Sequence, residues 1–524
     1  MNSLNQGRAT PRVVLFRQSG IDADTRAKKF ALTLARLGYE PILLAPVAPG
    51  DPLTERRLGP VRVIPVEIGT AHFDANREAL WEKRSRRIPV LSRLSKDDYL
   101  ERLGGRRKLV REALARTERR DAAFLAHRTL LEFRKAQVVL LQKRQSGQMA
   151  IDRTTREAWR AWTKASRSTA LFATVEGMLP EVLDLDDAYR PVLEQLAPDV
   201  IHAHHPFVLP TAVRAAAGLR TAGHQVRLVY DARENFKGIP QSEWGTKRRH
   251  HVLVELEADT IEEFDAVITV SDPIADVLQD RYELAARPSV VLNMPPRTPL
   301  RENSSHVRNV AGVADGVPLL VYSGGVSRAR GIDSLIDAMA LLPEMHLALV
   351  TVPYPHPRIP DLMDRADQLG VAHRVHVLPP VGQDELISFL AGADVGVHPM
   401  LSGSPNHDMA VPNKLFEYLH AGVTLAVSDA RTMAAFVRSH HIGTVFRSND
   451  PEDLARAVRE ALAMRAGQSL GEREKLAGEY CWQAQEPVIA QAYARLAPVV
   501  ERPRAEDFPS LDITDVAAAA EGGQ

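Results

Sequence analysis

From Arg12 onward, short apolar runs ending in glycine or polar residues alternate with longer stretches whose apolar residues recur at helical spacing. "RVVLFRQSG" (Arg12 to Gly20) predicts a strand, "DTRAKKFALTLARLGYE" a helix closing on Gly38, and "PILLAP" (Pro41 to Pro46) a second strand. Strand, helix and strand within about 35 residues form the unit of a parallel sheet, which gathers ligands at the carboxyl ends of its strands. The three spaced glycines of a dinucleotide fingerprint are absent from this unit, so this half need not hold a nucleotide.

The rhythm returns at "PDVIHAHHPFVLPTAVRAAAG", where "DVIHAH" reads as a buried strand opening into a His-rich loop. "VRLVYDAREN" (Val226 to Asn235) predicts another strand with a polar end, and "FDAVITVSDPIADVLQDRY" a strand, a helix start at Ser271 and Asp272, and a helix. "VVLNMPPRTP" interrupts the pattern with three prolines, as a linker does. A second α/β half starts near Val317. Its predicted strands are "PLLVYSGG", "LALVTVP", "VHVLPP", "VGVHPM" and "TLAVSD"; its predicted helices are "GIDSLIDAMALLP", "IPDLMDRADQLG", "QDELISFLAGA", "VPNKLFEYLHAG" and "DPEDLARAVREALA". Two doubly wound domains joined by a Pro-rich linker leave a cleft, the usual place for a ligand. The residues after 500 lack a core pattern and read as a mobile tail.

Between about Leu80 and Gln195 the pattern changes to long helical periodicity with few strand signals. Residues 81–170 carry 24 Lys plus Arg against 10 Asp plus Glu, although the 524-residue chain sums to a net charge of +0. This basic helical insertion reads either as a solvated hairpin or oligomer arm, or as a docking surface for an anionic membrane leaflet or an acidic protein partner. The balanced total points to no nucleic-acid partner. A single cysteine, Cys481, excludes an intramolecular disulfide and a Cys-based zinc site. The opening residues lack the apolar core of a secretory signal, and no apolar run approaches the ~20 residues of a membrane span. These features predict a cytoplasmic protein, with peripheral membrane contact left open.

Three segments of the second half carry candidate chemistry. "YSGGVSRARG" (Tyr322 to Gly331) places Gly324 and Gly325 after a strand, where the backbone can approach a ligand, and Arg328 and Arg330 at the mouth of the next helix. Backbone N–H groups, a helix dipole and forked Arg donors suit phosphate. "SGSPNHDM" (Ser402 to Met409) is a polar loop leading into "VPNKLFEYLHAG", in which Pro412 starts a helix, Lys414 reaches for phosphate and Glu417 lies about one turn on. A carboxylate there can accept from the two hydroxyls of a ribose; equally, Lys and Glu three apart can simply pair on a helix surface.

On "VPNKLFEYLHAG", "YSGGVSRARG", "DVIHAHHPF" and "VVLNMPP", the chain resembles the family-four retaining glycosyltransferases of GT-B fold, and especially a subgroup with a PNKLFEY motif. "CWQAQEPVIAQAYARL" resembles their terminal helix, which crosses back to the first domain. The resemblance implies two Rossmann-like domains: residues 1–300 for the acceptor, with the insertion at about 80–195, and 301–480 for the donor, followed by a crossover helix over 481–500 and the tail over 501–524. It implies that Glu417 binds the nucleotide ribose, that Arg330 and Lys414 neutralise the diphosphate, with Arg328 beside them, and that His204, or else His202, lies by the transferred sugar. Gly324, Gly325, Asn406, His407 and Asn413 would complete the donor site. Gly20, Asp24 and Arg26 of "SGIDADTR" would close over the donor or bind the acceptor, with Glu234 of "VYDAREN".

Two departures stand out: many relatives have Arg at the place of Gly325 and Glu at the place of Met409. The implied reaction is metal-independent transfer of a sugar from a nucleotide diphosphate sugar, UDP being the commoner carrier, to an unidentified acceptor with the anomeric configuration retained. No cofactor beyond that donor substrate is implied, and no Asp-x-Asp cluster suited to Mg²⁺ stands out. Two other readings share the architecture: a nucleotide-sugar epimerase, and a non-catalytic scaffold or binding subunit.

Overall fold

The computed structural model describes residues 10–21, 24–75, 175, 178–240, 247–300, 306–465, 467 and 469–499. Both α/β sheets belong to one unit, which comprises the described residues up to 70 and from 181 on. The whole of the basic block over 81–170 and all of the tail lie outside the described residues.

The first sheet runs β3-β4-β2-β1-β5-β6-β7-β8. Its strands are β1 (Arg12–Arg17), β2 (Glu40–Val47), β3 (Arg56–Leu58), β4 (Val61–Glu67), β5 (Val200–His204), β6 (Arg227–Ala232), β7 (Ala266–Thr269) and β8 (Ser289–Val290). All its pairings are parallel except β3 with β4. The helices between them are α1 (Thr25–Arg36), α2 (Glu181–Leu196), α3 (Leu209–Thr221), α4 (Lys247–Thr260) and α5 (Asp272–Tyr282). Asp24 caps α1 by accepting from the backbone N–H groups of Arg26 and Ala27, and Gly38 leaves the helix at φ +92. Helix α2, which the sequence places at the end of the insertion, belongs to the sheet-bearing unit. Its Asp186 accepts from Arg214 of α3 at 2.6 Å.

The second sheet is entirely parallel, in the order β11-β10-β9-β12-β13-β14. Its strands are β9 (Leu319–Gly324), β10 (His346–Thr351), β11 (Val375–Leu378), β12 (Val395–His398), β13 (Thr424–Ser428) and β14 (Gly443–Phe446). Its helices are α6 (Ile332–Met339), α7 (Ile359–Gln368), α8 (Leu386–Leu390), α9 (Pro405–Met409), α10 (Asn413–His420), α11 (Arg431–Ser439) and α12 (Pro451–Arg465). Successive β9 residues face opposite sides. Leu319 and Val321 join the core shared with α8, α10 and α11, whereas Leu320 and Tyr322 join that shared with α6 and α12.

After α13 (Leu470–Glu479), the chain returns to the first sheet through α14 (Glu486–Ala494). Trp482, Ile489 and Tyr493 are buried in the first sheet's core. Trp482 Nε1 donates to Thr33 Oγ1 at 2.9 Å, and Tyr493 Oη lies 2.7 Å from His202 Nδ1. The crossover thereby ties the last helix to the residues below β5.

The sequence expectation of a polar loop over Ser402–Met409 is corrected in part. Pro405–Met409 is a short helix, with Ser404 at its cap accepting from His407 N–H. Proline at the first helical position and serine before it account for the turn.

Candidate functional site

In the second sheet the chain leaves β9 and its neighbour β12 in opposite directions along the sheet order. Such a switch point opens a crevice at the strand carboxyl ends. Gly324 ends β9 at φ +136, and a Cβ placed there would stand 2.9 Å from Lys414 Cε. The Lys414 side chain therefore crosses the glycine. The next turn carries Arg328, exposed, and Arg330, half-buried with Nη1 3.7 Å from Met400 Sδ. It sits against the chain leaving β12: Leu401 N–H donates to the Ala329 carbonyl at 3.0 Å, and a Cβ on Gly331 would stand 2.0 Å from the Pro399 carbonyl oxygen.

Helix α10 is locked beneath this crevice. Tyr418 Oη accepts from Ser323 N–H at 3.1 Å, and the Tyr418 ring fills the space that a side chain at Gly396 would need. At the start of α10, Lys414 Nζ lies 3.6 Å from Glu417 Oε2. The carboxylate of the pair is buried: Glu417 is 8% exposed, and its Oε2 has no hydrogen bond. Buried carboxylate oxygens ordinarily have hydrogen-bond partners, so Oε2 is available to a donor hydroxyl. Asn413 is half-buried at the same end.

The glycines make separable predictions. Gly324→Ala should cost about 1–3 kcal/mol in thermal unfolding, because its φ is strained for alanine and Lys414 must move. It should also weaken nucleotide binding. At Gly325 the nearest atom to an added Cβ is the Val352 carbonyl oxygen at 3.5 Å, an ordinary contact. Gly325→Ala should unfold within about 0.5 kcal/mol of the parent.

Asn406 and His407 each hold a backbone partner. Asn406 Oδ1 accepts the Asn235 N–H at 2.8 Å, and His407 Nδ1 lies 2.9 Å from the Leu401 carbonyl. Together with Ser404 Oγ on the Gly238 carbonyl and Ser271 Oγ on the Met409 carbonyl, Asn406 clasps the two sheets' domains. Gly238 is required by closeness, since a Cβ there would stand 2.9 Å from Asn406 N. Met409 contributes its carbonyl and its sulfur, the latter 3.6 Å from Asn235 Nδ2.

In the first domain, His202 and His204 point to one side of β5 and stack with ring centroids 4.1 Å apart. Both are buried, and both Nε2 atoms lack partners. His204 Nδ1 is 2.8 Å from Asp231 Oδ2 and 2.9 Å from Arg233 Nη2. It can donate to the carboxylate or accept from the guanidinium, and the choice fixes whether Nε2 presents a lone pair or a proton. Burial, and then the Arg233 charge, lower its pKa, so the ring is neutral near pH 7. His205, immediately after, holds φ +96, a strained conformation of the kind found at functional sites.

Arg26 does not reach the surface expected of an acceptor contact. It is 1% exposed and forms a bidentate pair with Asp231, with a further bond to the Val291 carbonyl. Asp24, besides capping α1, pairs with Arg17 and, at 2.9 Å, with Arg233. Gly20 and Glu234 are exposed. The composition of His202, His204 and Asp231, with ligand atoms within 4.8 Å of one another, is that of a metal site. However, Arg26 and Arg233 already bond the Asp231 oxygens, and their charges oppose a divalent ion. Lys29 of α1 extends the cluster toward the second domain. Its Nζ donates to Asn293 Oδ1 and the Met294 carbonyl and lies 4.5 Å from the Trp482 ring centre. Burial and Arg26 bring its pKa down to about 7, against the opposing pull of Glu417.

Sequence reasoning passed over Asp231, Arg17, Lys29 and His398. The signal for Asp231 and His398 is positional, since each closes or nearly closes a central strand.

Residues 317–464 match the family described as Glycosyl transferases group 1, and residues 152–294 match Glycosyltransferase Family 4. Over these two stretches the chain is similar to group 1 and family 4 glycosyltransferases. A D-inositol 3-phosphate glycosyltransferase of Geodermatophilus obscurus is 26% identical over 46% of this chain and 55% of its own length. One from Mycolicibacterium gilvum is 25% identical over 30% of this chain and 34% of its own. The chain thus matches about half, or less, of the length of these curated relatives. Sucrose-phosphate synthase from Thermosynechococcus elongatus superposes with a TM-score of 0.58 at 15% identity, covering 93% of this chain and 99% of that one. Anabaena HepE, solved with UDP-glucose, superposes at 0.52 and 14% identity, covering 93% and 100%. These likenesses establish the fold as GT-B: two Rossmann-like parallel-sheet domains.

Proposed function

We propose that this protein is a retaining, metal-independent glycosyltransferase that takes a sugar from a nucleoside diphosphate sugar, UDP-sugars being favoured, and delivers it to an acceptor that remains to be identified. The observation that carries the reading is the meeting at the β9/β12 switch point of Arg330, Lys414 and a buried Glu417 Oε2 that has no hydrogen bond and lies 3.6 Å from Lys414 Nζ.

Each group has a role set by its chemistry. Glu417 accepts from the ribose hydroxyls, and Arg330 and Lys414 stabilise the charge that grows on the diphosphate as the glycosidic bond breaks. The sugar passes through an oxocarbenium-like state. On the face the leaving group vacates, a phosphate oxygen takes the acceptor's proton, so no carboxylate nucleophile is needed. His204, neutral and held by Asp231 or Arg233, presents Nε2 toward the sugar. Two permanent cations at the diphosphate do the work a divalent metal would otherwise do.

The reading leaves the acceptor to experiment. HepE was solved with UDP-glucose, and the relatives are named for D-inositol 3-phosphate, so these head the donor and acceptor panels. The cationic side chains Arg17, Arg26 and Arg233 outnumber Asp24 and Asp231 beside His204, which suits an anionic acceptor. The basic block over 81–170 would add affinity for an anionic leaflet or protein.

The test is release of nucleoside diphosphate from a panel of nucleotide sugars, with EDTA present. Turnover unaffected by EDTA is expected, with Glu417→Ala raising KM for the donor at least tenfold and leaving the melting temperature unchanged. Release that requires added metal overturns the metal-independent mechanism. No release from any donor and acceptor pair favours the binding-subunit reading, and unfolding of Glu417→Ala would show the carboxylate to be structural.

A further inference from the structure

His398 closes β12 at the switch point and is 2% exposed, yet neither ring nitrogen has a hydrogen-bond partner. A neutral imidazole carries one donor and one acceptor, and leaving either buried and unmet is unfavourable. Its neighbours do not meet that need. The Tyr322 ring stacks on it at 6.3 Å and 11°, but Tyr322 Oη is spent on the Gly325 carbonyl at 2.5 Å.

The charged and titratable groups acting on it are Arg330, Lys414 and His407, from three separate segments. Burial first, and then each of these three, keeps the imidazole neutral by holding its pKa well below the ordinary value. The ring is therefore an uncharged group with free polar atoms, set among cations at the mouth of a Rossmann-type crevice. A cation would be repelled there, and a neutral apolar group would leave the nitrogens unmet. An anion with acceptor oxygens satisfies the ring N–H and the two permanent charges together.

We propose that His398 is a third contact of the donor diphosphate, donating its ring N–H to a phosphate oxygen between Arg330 and Lys414. The inference rests on the donor site proposed above and assigns to it a residue outside the PNKLFEY and Gly-Gly segments. A ring kept only to pack on Tyr322 would be replaceable by phenylalanine; a phosphate contact would not.

The probes are UDP, GDP and ADP, with inorganic pyrophosphate as the base-free anion and the corresponding nucleosides as phosphate-free controls. Calorimetric titrations compare the parent with His398→Phe, which keeps the stacked ring, and His398→Asn, which restores a donor amide. The expected result is at least a tenfold weaker Kd for the nucleoside diphosphate and pyrophosphate in His398→Phe, partial recovery in His398→Asn, and unchanged nucleoside binding. A His398→Phe variant that melts like the parent and binds the nucleoside diphosphate within twofold overturns the inference alone, provided Glu417→Ala still weakens binding. If His398→Phe fails to fold, His398→Asn decides by itself: parental affinity with an unmoved imidazole nitrogen spectrum on saturation of the parent overturns it. A parent that binds none of the anions overturns both this inference and the donor site.

Discussion

Lys414→Met should lower donor-saturated turnover by about a hundredfold or more, near 3 kcal/mol, the usual cost of deleting one preorganised donor to developing negative charge. The effect should fall on kcat more than on KM. Lys414 Nζ is held over Gly324 and beside Glu417 before any reaction, so little reorganisation is needed when the leaving diphosphate gains charge. In the ground state that charge is spread over the phosphates and shared with Arg330. Methionine keeps the aliphatic stem that covers Gly324, so the fold should remain intact, with the melting temperature within about 2 °C of the parent. Steady-state kinetics on the donor identified by the panel checks this. A variant that loses affinity but not turnover would place Lys414 in ground-state binding alone.

The second large effect concerns stability. Asp231→Ala should destabilise the protein by about 3–5 kcal/mol, because it leaves the Arg26 guanidinium buried without its counter-charge. Arg233 loses one of its two carboxylates and His204 its anchor in the same change. For a domain of this size the loss amounts to roughly 6 to 20 °C in melting temperature, read by calorimetry. The pH dependence has a definite sign. Burial pushes the Asp231 pKa upward, but Arg26, His204 and Arg233 more than offset it, so the folded-state pKa lies well below the unfolded value near about 4. The contribution of this carboxylate is fully present above about pH 4 and is lost as the pH falls from there toward the folded-state pKa. A melting temperature within about 2 °C of the parent would show the pair to be dispensable.

Much of the fold was legible because its cues are local. The apolar run at Arg12–Arg17, Asp24 as a cap, the helical spacing to Arg36 and Gly38 at φ +92 all lie within one short segment. The same holds for Gly324, Lys414 and Glu417, which strand-end and helix-start rules select before any coordinates are known. The parts that were missed depend on distant partners. Asn406 reads as a ligand contact in a polar loop, yet its amide oxygen is taken by the backbone of Asn235 in the other domain. Arg26 reads as a polar tip of an entry loop, yet Asp231 and the Val291 carbonyl draw it inside. Strand β3 escaped notice because it is a three-residue edge strand, and β4 because proline and charge interrupt its alternation.

His398 illustrates the converse. A histidine at the end of "VGVHPM" carries no motif, and only the burial of both its nitrogens beside Arg330 and Lys414 marks it. The interdomain clasp is equally silent in the sequence, since Ser271 reads as a helix cap but bonds across to the Met409 carbonyl.

The central claim is that the β9/β12 switch point holds a nucleoside diphosphate through Glu417, Lys414 and Arg330. The measurement that tests it most directly is a calorimetric titration of the purified protein with UDP, GDP and ADP, with and without EDTA. The account predicts micromolar binding of one nucleotide, unchanged by EDTA and lost in Glu417→Ala. Binding of none of the three, or equal binding by Glu417→Ala, would contradict it.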